Sequence, residues 1–224
     1  MAGIRASARH SSVKTLRAKS IALWTVNSVE SPLRFSNCHV LEHIPGRVFL
    51  DTSVVNFMLD YGQQIYDGDD MPAGLNSRVT LDIGALRNLA ITGQRAMWEL
   101  VVSPNTYREV TQTADRTRRE QLETWFGEIW HYWQQRSLEG CLADISAGEE
   151  VASSVRRSGV LDCLPDDADR TLLVDALLLR CDLFCTRDWT TILKQRGQLV
   201  GLGIEIVTPT EWWRKIEPYA GLWA

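Results

Sequence analysis

From residue 47 onward, short apolar runs alternate with longer stretches in which apolar residues recur at helical spacing. The turn signal Pro45-Gly46 precedes the first run, Arg47-Val48-Phe49-Leu50-Asp51, which predicts a strand. A helix is expected from Thr52 or Ser53 through about Leu59. Residues 60–78, rich in Gly, Asp and Gln and containing Pro72, read as an inserted loop. Leu81, Leu86, Leu89 and Met97 suggest a helix that runs into a second strand, Trp98 to Val102. At Ser103-Pro104 a new helix should start, because Ser caps well and Pro suits the first helical position.

Beyond it, residues 114–136 read as one long helix with Leu122, Phe126, Ile129 and Trp133 on a single face. Ser146 followed by Glu149 is a capping-box pattern for another helix. Pro165-Asp166-Asp167 opens the next, with Leu172, Leu173, Ala176 and Leu177 turned inward. A third strand is expected over Asp182 to Cys185, a short helix over Trp189 to Gln195, and a last strand over Ile204 to Val207. Strands alternating with helices imply a parallel, right-handed α/β sandwich.

Composition refines this picture in three places. Residues 1–45 show no clean period and form a basic N-terminal extension, expected to be disordered; the domain proper is 46–224. Arg5, Arg9, Lys14, Arg17 and Lys19 without an acid resemble a transit peptide, but a disordered tail or a misplaced start is the preferred reading. Nine Trp among 224 residues, several in the helical region 114–160, point to aromatic packing or an interface. A net charge of −4 gives no general basic field, so nucleic acid must be met by local patches, such as Arg116, Arg118 and Arg119. Five Cys without a CxxC pair or a secretory leader fit a reducing, cytoplasmic setting, and no apolar run reaches the ~20 residues of a membrane span. Cys38, His39 and His43 lack a second pair of metal ligands and read as incidental.

Candidate chemistry rests on four acids. Ligands bind beyond the carboxyl ends of open parallel strands, where Asp51 and Asp188 are both placed. Glu109 and Asp169 lie early in helices that start at the same edge. Carboxylates repel one another, so their convergence makes most sense if a hard divalent cation neutralises them, and phosphodiester hydrolysis is the chemistry that most often needs this. Each acid also has an ordinary explanation: a helix cap for Asp51, a surface ion pair for Glu109, a helix-dipole acid for Asp169 and a turn residue for Asp188. Asp175 is expected to pair with Arg170 or Arg180 on the surface, and Cys181 and Cys185 to be small buried hydrophobes.

Taken together, Val48-Phe49-Leu50-Asp51-Thr52-Ser53-Val54-Val55, Val102-Ser103-Pro104 leading to Glu109, and Asp169 to Ala176 leading to Phe184-Cys185-Thr186-Arg187-Asp188 resemble the PIN-domain ribonucleases, which include VapC-type toxins. The likeness covers roughly residues 47–210. It implies a PIN-like three-layer α/β/α sandwich with a central parallel sheet, Mg²⁺ or Mn²⁺ as cofactor, and Asp51, Glu109, Asp169 and Asp188 as the acidic quartet. It also implies that hydroxyls of Thr52, Ser53 or Thr186 position water, metal or phosphate. Asp166, Asp167 and Asp169 all lie at one helix start; spacing to Thr186 favours Asp169, with Asp167 in reserve. The chain departs from the small toxins in its N-terminal extension, the loop at 60–78 and the enlarged Trp-rich region.

The resemblance implies an endoribonuclease acting on single-stranded RNA by in-line attack of water, leaving a 5′-phosphate and a 3′-hydroxyl. It makes an antitoxin protein and a second copy of the chain candidate partners, and a membrane not one. The alternative is a catalytically silent PIN-like module that binds RNA or protein. A phosphatase with Asp51 as nucleophile is disfavoured, since Ser53 stands where that class wants a second acid.

Overall fold

The first apolar run lies in the middle of a four-stranded, all-parallel sheet. A computed structural model describes residues 44–93, 95, 96, 98–112, 114–124 and 145–223 of the chain. The strands are β1 (Arg47–Leu50), β2 (Glu99–Val101), β3 (Leu183–Cys185) and β4 (Glu205–Val207), in the order β2-β1-β3-β4. The helices are α1 (Thr52–Asp60), α2 (Ser77–Gly93), α3 (Pro104–Thr111), α4 (Ile145–Ser158), α5 (Asp167–Leu178), α6 (Ile192–Gln195) and α7 (Pro209–Ile216).

Both faces of the sheet are apolar, as parallel strands covered on both sides require. Along β1, Val48 and Leu50 enter one core cluster, whereas Phe49 enters the other. The same alternation holds in β3, with Leu183 and Cys185 on the first side and Phe184 on the second. Phe49 and Phe184 are register partners whose rings stack at 5.3 Å and 9°. Helices α1, α2 and α7 cover the first face through Val54, Phe57, Ile83, Leu86 and Trp212. The second face is covered by α4, α5 and α6 through Ala152, Leu172, Leu173, Ala176 and Ile192. Helices on both sides of a parallel sheet give the α/β architecture expected from the sequence.

Local signals fix several boundaries. Ser103 caps α3 in a reciprocal arrangement with Thr106, with Pro104 in the first turn. Asp166 caps α5 by accepting from Ala168 N at 2.9 Å. Thr208 and Glu211 form a capping box on α7. Other boundaries differ from expectation. Residues 60–78 are not loop throughout: a π-helical turn occupies Gln63–Asp67 and buries Ile65. Helix α4 is already under way at Ile145, so Ser146 is not its cap. The helix expected over Trp189 to Gln195 is confined to α6, because Trp189 and Thr190 form a turn around Asp188.

Cys181 and Cys185 are buried, as expected, and neither forms a disulfide among the described residues. Of the long helix expected over 114–136, residues 116–124 are helical and Leu122 is fully buried. Trp125, Phe126, Ile129, Trp130 and Trp133 lie outside the described residues, as do Cys38, His39, His43 and nearly all of the basic extension 1–45. Among the described residues no helix is long and apolar enough to cross a membrane.

Candidate active site

Strand order sets the site. The chain leaves β1 for β2 on one side and returns to β3 on the other, so the crevice at the carboxyl ends of β1 and β3 is a topological switch point. Asp51 directly follows β1 and Thr186 directly follows β3. Their backbones stay in the ladder: Asp51 N donates to Cys185 O at 3.0 Å and Thr186 N to Val207 O at 2.9 Å.

Asp51 occupies the N-cap position of α1, yet its side chain makes no cap hydrogen bond. Instead its Oδ2 accepts from Thr186 Oγ1 at 2.6 Å and from Ser53 Oγ at 2.5 Å. The helix-cap explanation of Asp51 therefore fails. Ser53 Oγ in turn accepts from Arg187 N at 2.9 Å, and Thr186 Oγ1 accepts from Asp188 N at 3.0 Å. The two hydroxyls thus clamp one carboxylate oxygen and fold the 186–188 segment around it. Thr52 plays the equivalent part for α3, donating from Oγ1 to Glu109 Oε2 at 2.6 Å. All three hydroxyls implied by the resemblance are committed to carboxylates, which they orient, rather than left open toward a ligand.

On the opposite wall, Thr191 Oγ1 donates to Asp169 Oδ2 at 2.7 Å and also contacts Asp188 Oδ2. Asp188 Oδ1 accepts from Thr190 N at 2.8 Å, Thr190 Oγ1 at 2.7 Å and Thr191 N at 3.1 Å. A hydroxyl has one proton, so Thr191 cannot satisfy two ionised carboxylates at once. The three acids at the α5 start are separated by the structure. Asp169 faces this wall, Asp166 caps the helix, and Asp167 is exposed, 3.3 Å from Arg170.

Electrostatics join the four acids. Burial raises the Asp51 carboxyl, its two hydroxyl donors pull it back, and repulsion from Asp188 adds to the rise. Burial raises Glu109, opposed by Thr52 and reinforced by Asp51 and Asp169. Asp169 is pushed up to about 6, first by burial and then by Asp188 and Asp51, against the pull of Thr191. Burial acts in the same direction on Asp188, but hydrogen bonds from Thr191 and Thr190 outweigh it and hold that carboxyl below its usual range. Among the described residues, no cationic side chain is a leading influence on any of the four.

No protein-family model matches this chain, and no curated protein or solved structure is significantly similar to it. The site must be read from its own chemistry. An all-oxygen, anionic donor set suits a hard divalent cation such as Mg²⁺ or Mn²⁺ rather than a softer metal. Glu109 Oε1 and Asp169 Oδ1 have no protein hydrogen bond among the described residues, which leaves each with a lone-pair face for a ligand. Among the described residues, however, no three His, Cys, Asp or Glu side chains converge as a ready-made cage. The donor set therefore fits such an ion in charge and chemistry, with side-chain rotation needed to close around it.

Two features escaped the sequence. Thr190 and Thr191 had no reason to stand out beyond the Asp-x-Thr spacing that favours a side-chain turn. Asp82 of α2 is 1% exposed and takes Arg187 Nε at 2.9 Å and Thr210 Oγ1 at 2.7 Å. Arg187 stands between Thr186 and Asp188 in sequence, and its guanidinium lies 3.5 Å from the Phe57 ring centroid. Asp175 is also corrected. Where a surface pair with Arg170 or Arg180 was expected, it is half-buried and accepts from Asn105 Nδ2 at 2.8 Å, tying α5 to α3.

Proposed function

We propose that this chain is a PIN-like, metal-dependent endoribonuclease that hydrolyses single-stranded RNA. One observation carries the reading: four carboxylates from four separate segments repel one another at the switch point of a parallel sheet, with no cation of the described residues among their leading influences. Acids are gathered in this way at a cost that a bound cation relieves.

Bound there, Mg²⁺ or Mn²⁺ supplies charge neutralisation, phosphate polarisation and a water of lowered pKa. Asp51, Glu109, Asp169 and Asp188 are the residues that would hold it. Ser53 and Thr186 fix the direction of Asp51, Thr52 that of Glu109, and Thr191 that of Asp169. Water adds to phosphorus in line with the departing 3′-oxygen, which leaves as a hydroxyl and keeps the phosphate on the 5′ side. No serine or cysteine nucleophile is required. An antitoxin protein is the partner this reading adds.

The test is cleavage of a labelled, unstructured RNA by purified protein in Mn²⁺ and in EDTA. Cutting in Mn²⁺ alone, giving 5′-phosphate ends and absent in Asp51→Ala, is the expected result. Cutting of equal rate by Asp51→Ala, free of contaminating nuclease, overturns it. A second reading, a silent RNA- or protein-binding module, is favoured by the lack of a ready-made cage among the described residues. It predicts RNA binding with no cutting in any divalent metal.

A further inference from the structure

One aromatic at the rim belongs to neither core cluster. Trp189 follows Asp188 directly and remains 40% exposed in the turn that leads to α6. Consecutive Cα atoms are about 3.8 Å apart, so the Trp189 backbone directly adjoins that of Asp188. Arg78, in the first turn of α2, places its guanidinium 3.9 Å from the Trp189 ring centroid. Arg78 is exposed and has no acidic partner among the described residues. By contrast Arg116 and Arg118 of the basic cluster are paired with Glu120 and Asp60. Leu81, one helical turn beyond Arg78, is 54% exposed and continues the apolar surface along the same side of α2.

A partly exposed indole, covered on one side by a guanidinium that has no acidic partner among the described residues and adjoining an acidic site in sequence, suits an occupant that is both planar and anionic. A protein surface would meet Trp189 and Leu81 but would leave Arg78 to find an acid. A nucleotide satisfies both, since every base has a π-face and every linkage a phosphate. We infer that Trp189 and Arg78 form a nucleotide-binding subsite beside the carboxylates, in which the indole stacks one base of a single strand and Arg78 meets the adjoining phosphate. The inference rests on the nuclease reading for its strand, and it deepens that reading by naming where the strand is gripped. Stacking is tolerant of base identity, so the subsite selects unpaired over paired RNA rather than one sequence. Duplex bases present no free face to Trp189.

Two readouts separate this inference from the reading beneath it. Binding of a fluorescein-labelled single-stranded 12-mer RNA is followed by anisotropy in Ca²⁺, and cleavage of the same RNA in Mn²⁺. Wild type is expected to bind single strand in preference to the hairpin of the same composition. Trp189→Ala should raise Kd and KM roughly five- to a hundredfold while kcat changes little, and Trp189→Phe should recover most of the loss. Arg78→Ala should weaken binding and lower its salt dependence by about one ion. Circular dichroism melts confirm that these surface variants fold. Equal binding by Trp189→Ala and wild type overturns the subsite, whether or not the protein cuts. Binding through Trp189 without cutting supports the subsite and removes the hydrolytic reading. Absence of RNA binding by wild type overturns both.

Discussion

The Thr186 hydroxyl donates to Asp51 Oδ2 across 2.6 Å, joining the residues that directly follow two neighbouring parallel strands. Both are buried, so neither has water to replace the other. Thr186→Val should cost about 1–3 kcal/mol, the penalty for leaving a buried polar group short of a partner. At roughly 2–4 °C of Tm per kcal/mol for a chain this size, differential scanning calorimetry will see it. Thr186→Ser, which keeps the hydroxyl, should melt close to wild type.

Metal should stabilise the fold. The protein in excess Mn²⁺ should melt higher than in EDTA, gaining about 2.7 kcal/mol at a hundredfold excess over Kd. The gain should vanish in the Asp51→Asn/Asp188→Asn double variant. An equal rise in that variant would mean that Mn²⁺ binds elsewhere.

Stability without metal should depend on pH in a direction opposite to that of salt-bridged carboxylates. Burial pushes the Asp169 carboxyl up to about 6 in the fold, against 3.8 in the unfolded chain. Between those values the native chain holds a proton that the unfolded chain has lost, so stability falls as pH rises from about 4 to about 6. The lowered carboxyl of Asp188 acts below 3.8 and leaves that window untouched. Chemical denaturation across pH 4–7 in EDTA should show the decline, and Asp169→Asn should make it shallower, leaving the share of Asp51 and Glu109, whose carboxyls burial also raises.

Two acids at the α5 start make opposite predictions. Asp167 is exposed and paired only with Arg170, so Asp167→Ala should leave both stability and RNA cleavage unchanged. Asp169→Ala should abolish cleavage. The reverse pattern in a single-turnover assay would move the site by two residues. Asp175→Ala should lose about 1 kcal/mol with the Asn105 bond yet still cut RNA.

The pair Asp82–Arg187 should be costly to break singly. Arg187→Met strands a carboxylate that is 1% exposed, at a cost of about 3–5 kcal/mol. Adding Asp82→Leu should restore much of it. Urea titration of the single and double variants measures the coupling. No recovery in the double variant would show that Arg187 acts through Phe57 or the backbone instead.

How much of this was legible depends on how far apart the interacting residues lie. Strands β1 and β3 declared themselves through uninterrupted apolar residues, and α3 and α5 through Ser103-Pro104 and Pro165-Asp166, because caps act within three residues; α7 did not stand out, although Thr208 caps it in the same way. The π-helical turn at Gln63–Asp67 carries no apolar period and was read as loop. Asp82 looked like one more polar residue on a helix, since its partner is 105 positions away. Asp51, Glu109, Asp169 and Asp188 were visible as ends of elements. Thr52 and Thr186 entered only through the resemblance, and Thr190 and Thr191 did not stand out, because a hydroxyl gives no local pattern.

Glu109 has a different foundation from its companions. Asp51 and Asp188 stand beside strands with neighbours on both sides, whereas Glu109 rides on a helix that follows β2, an edge strand of three residues paired only with β1. Its tethers are the hydrogen bonds from Thr52 to Glu109 and from Asn105 to Asp175. Amide exchange should therefore open residues 99–111 before it opens 47–51 or 183–188. The fourth carboxylate would then come and go while the other three stay in register, so that any ion held as proposed above would lose one ligand before the sheet itself opened.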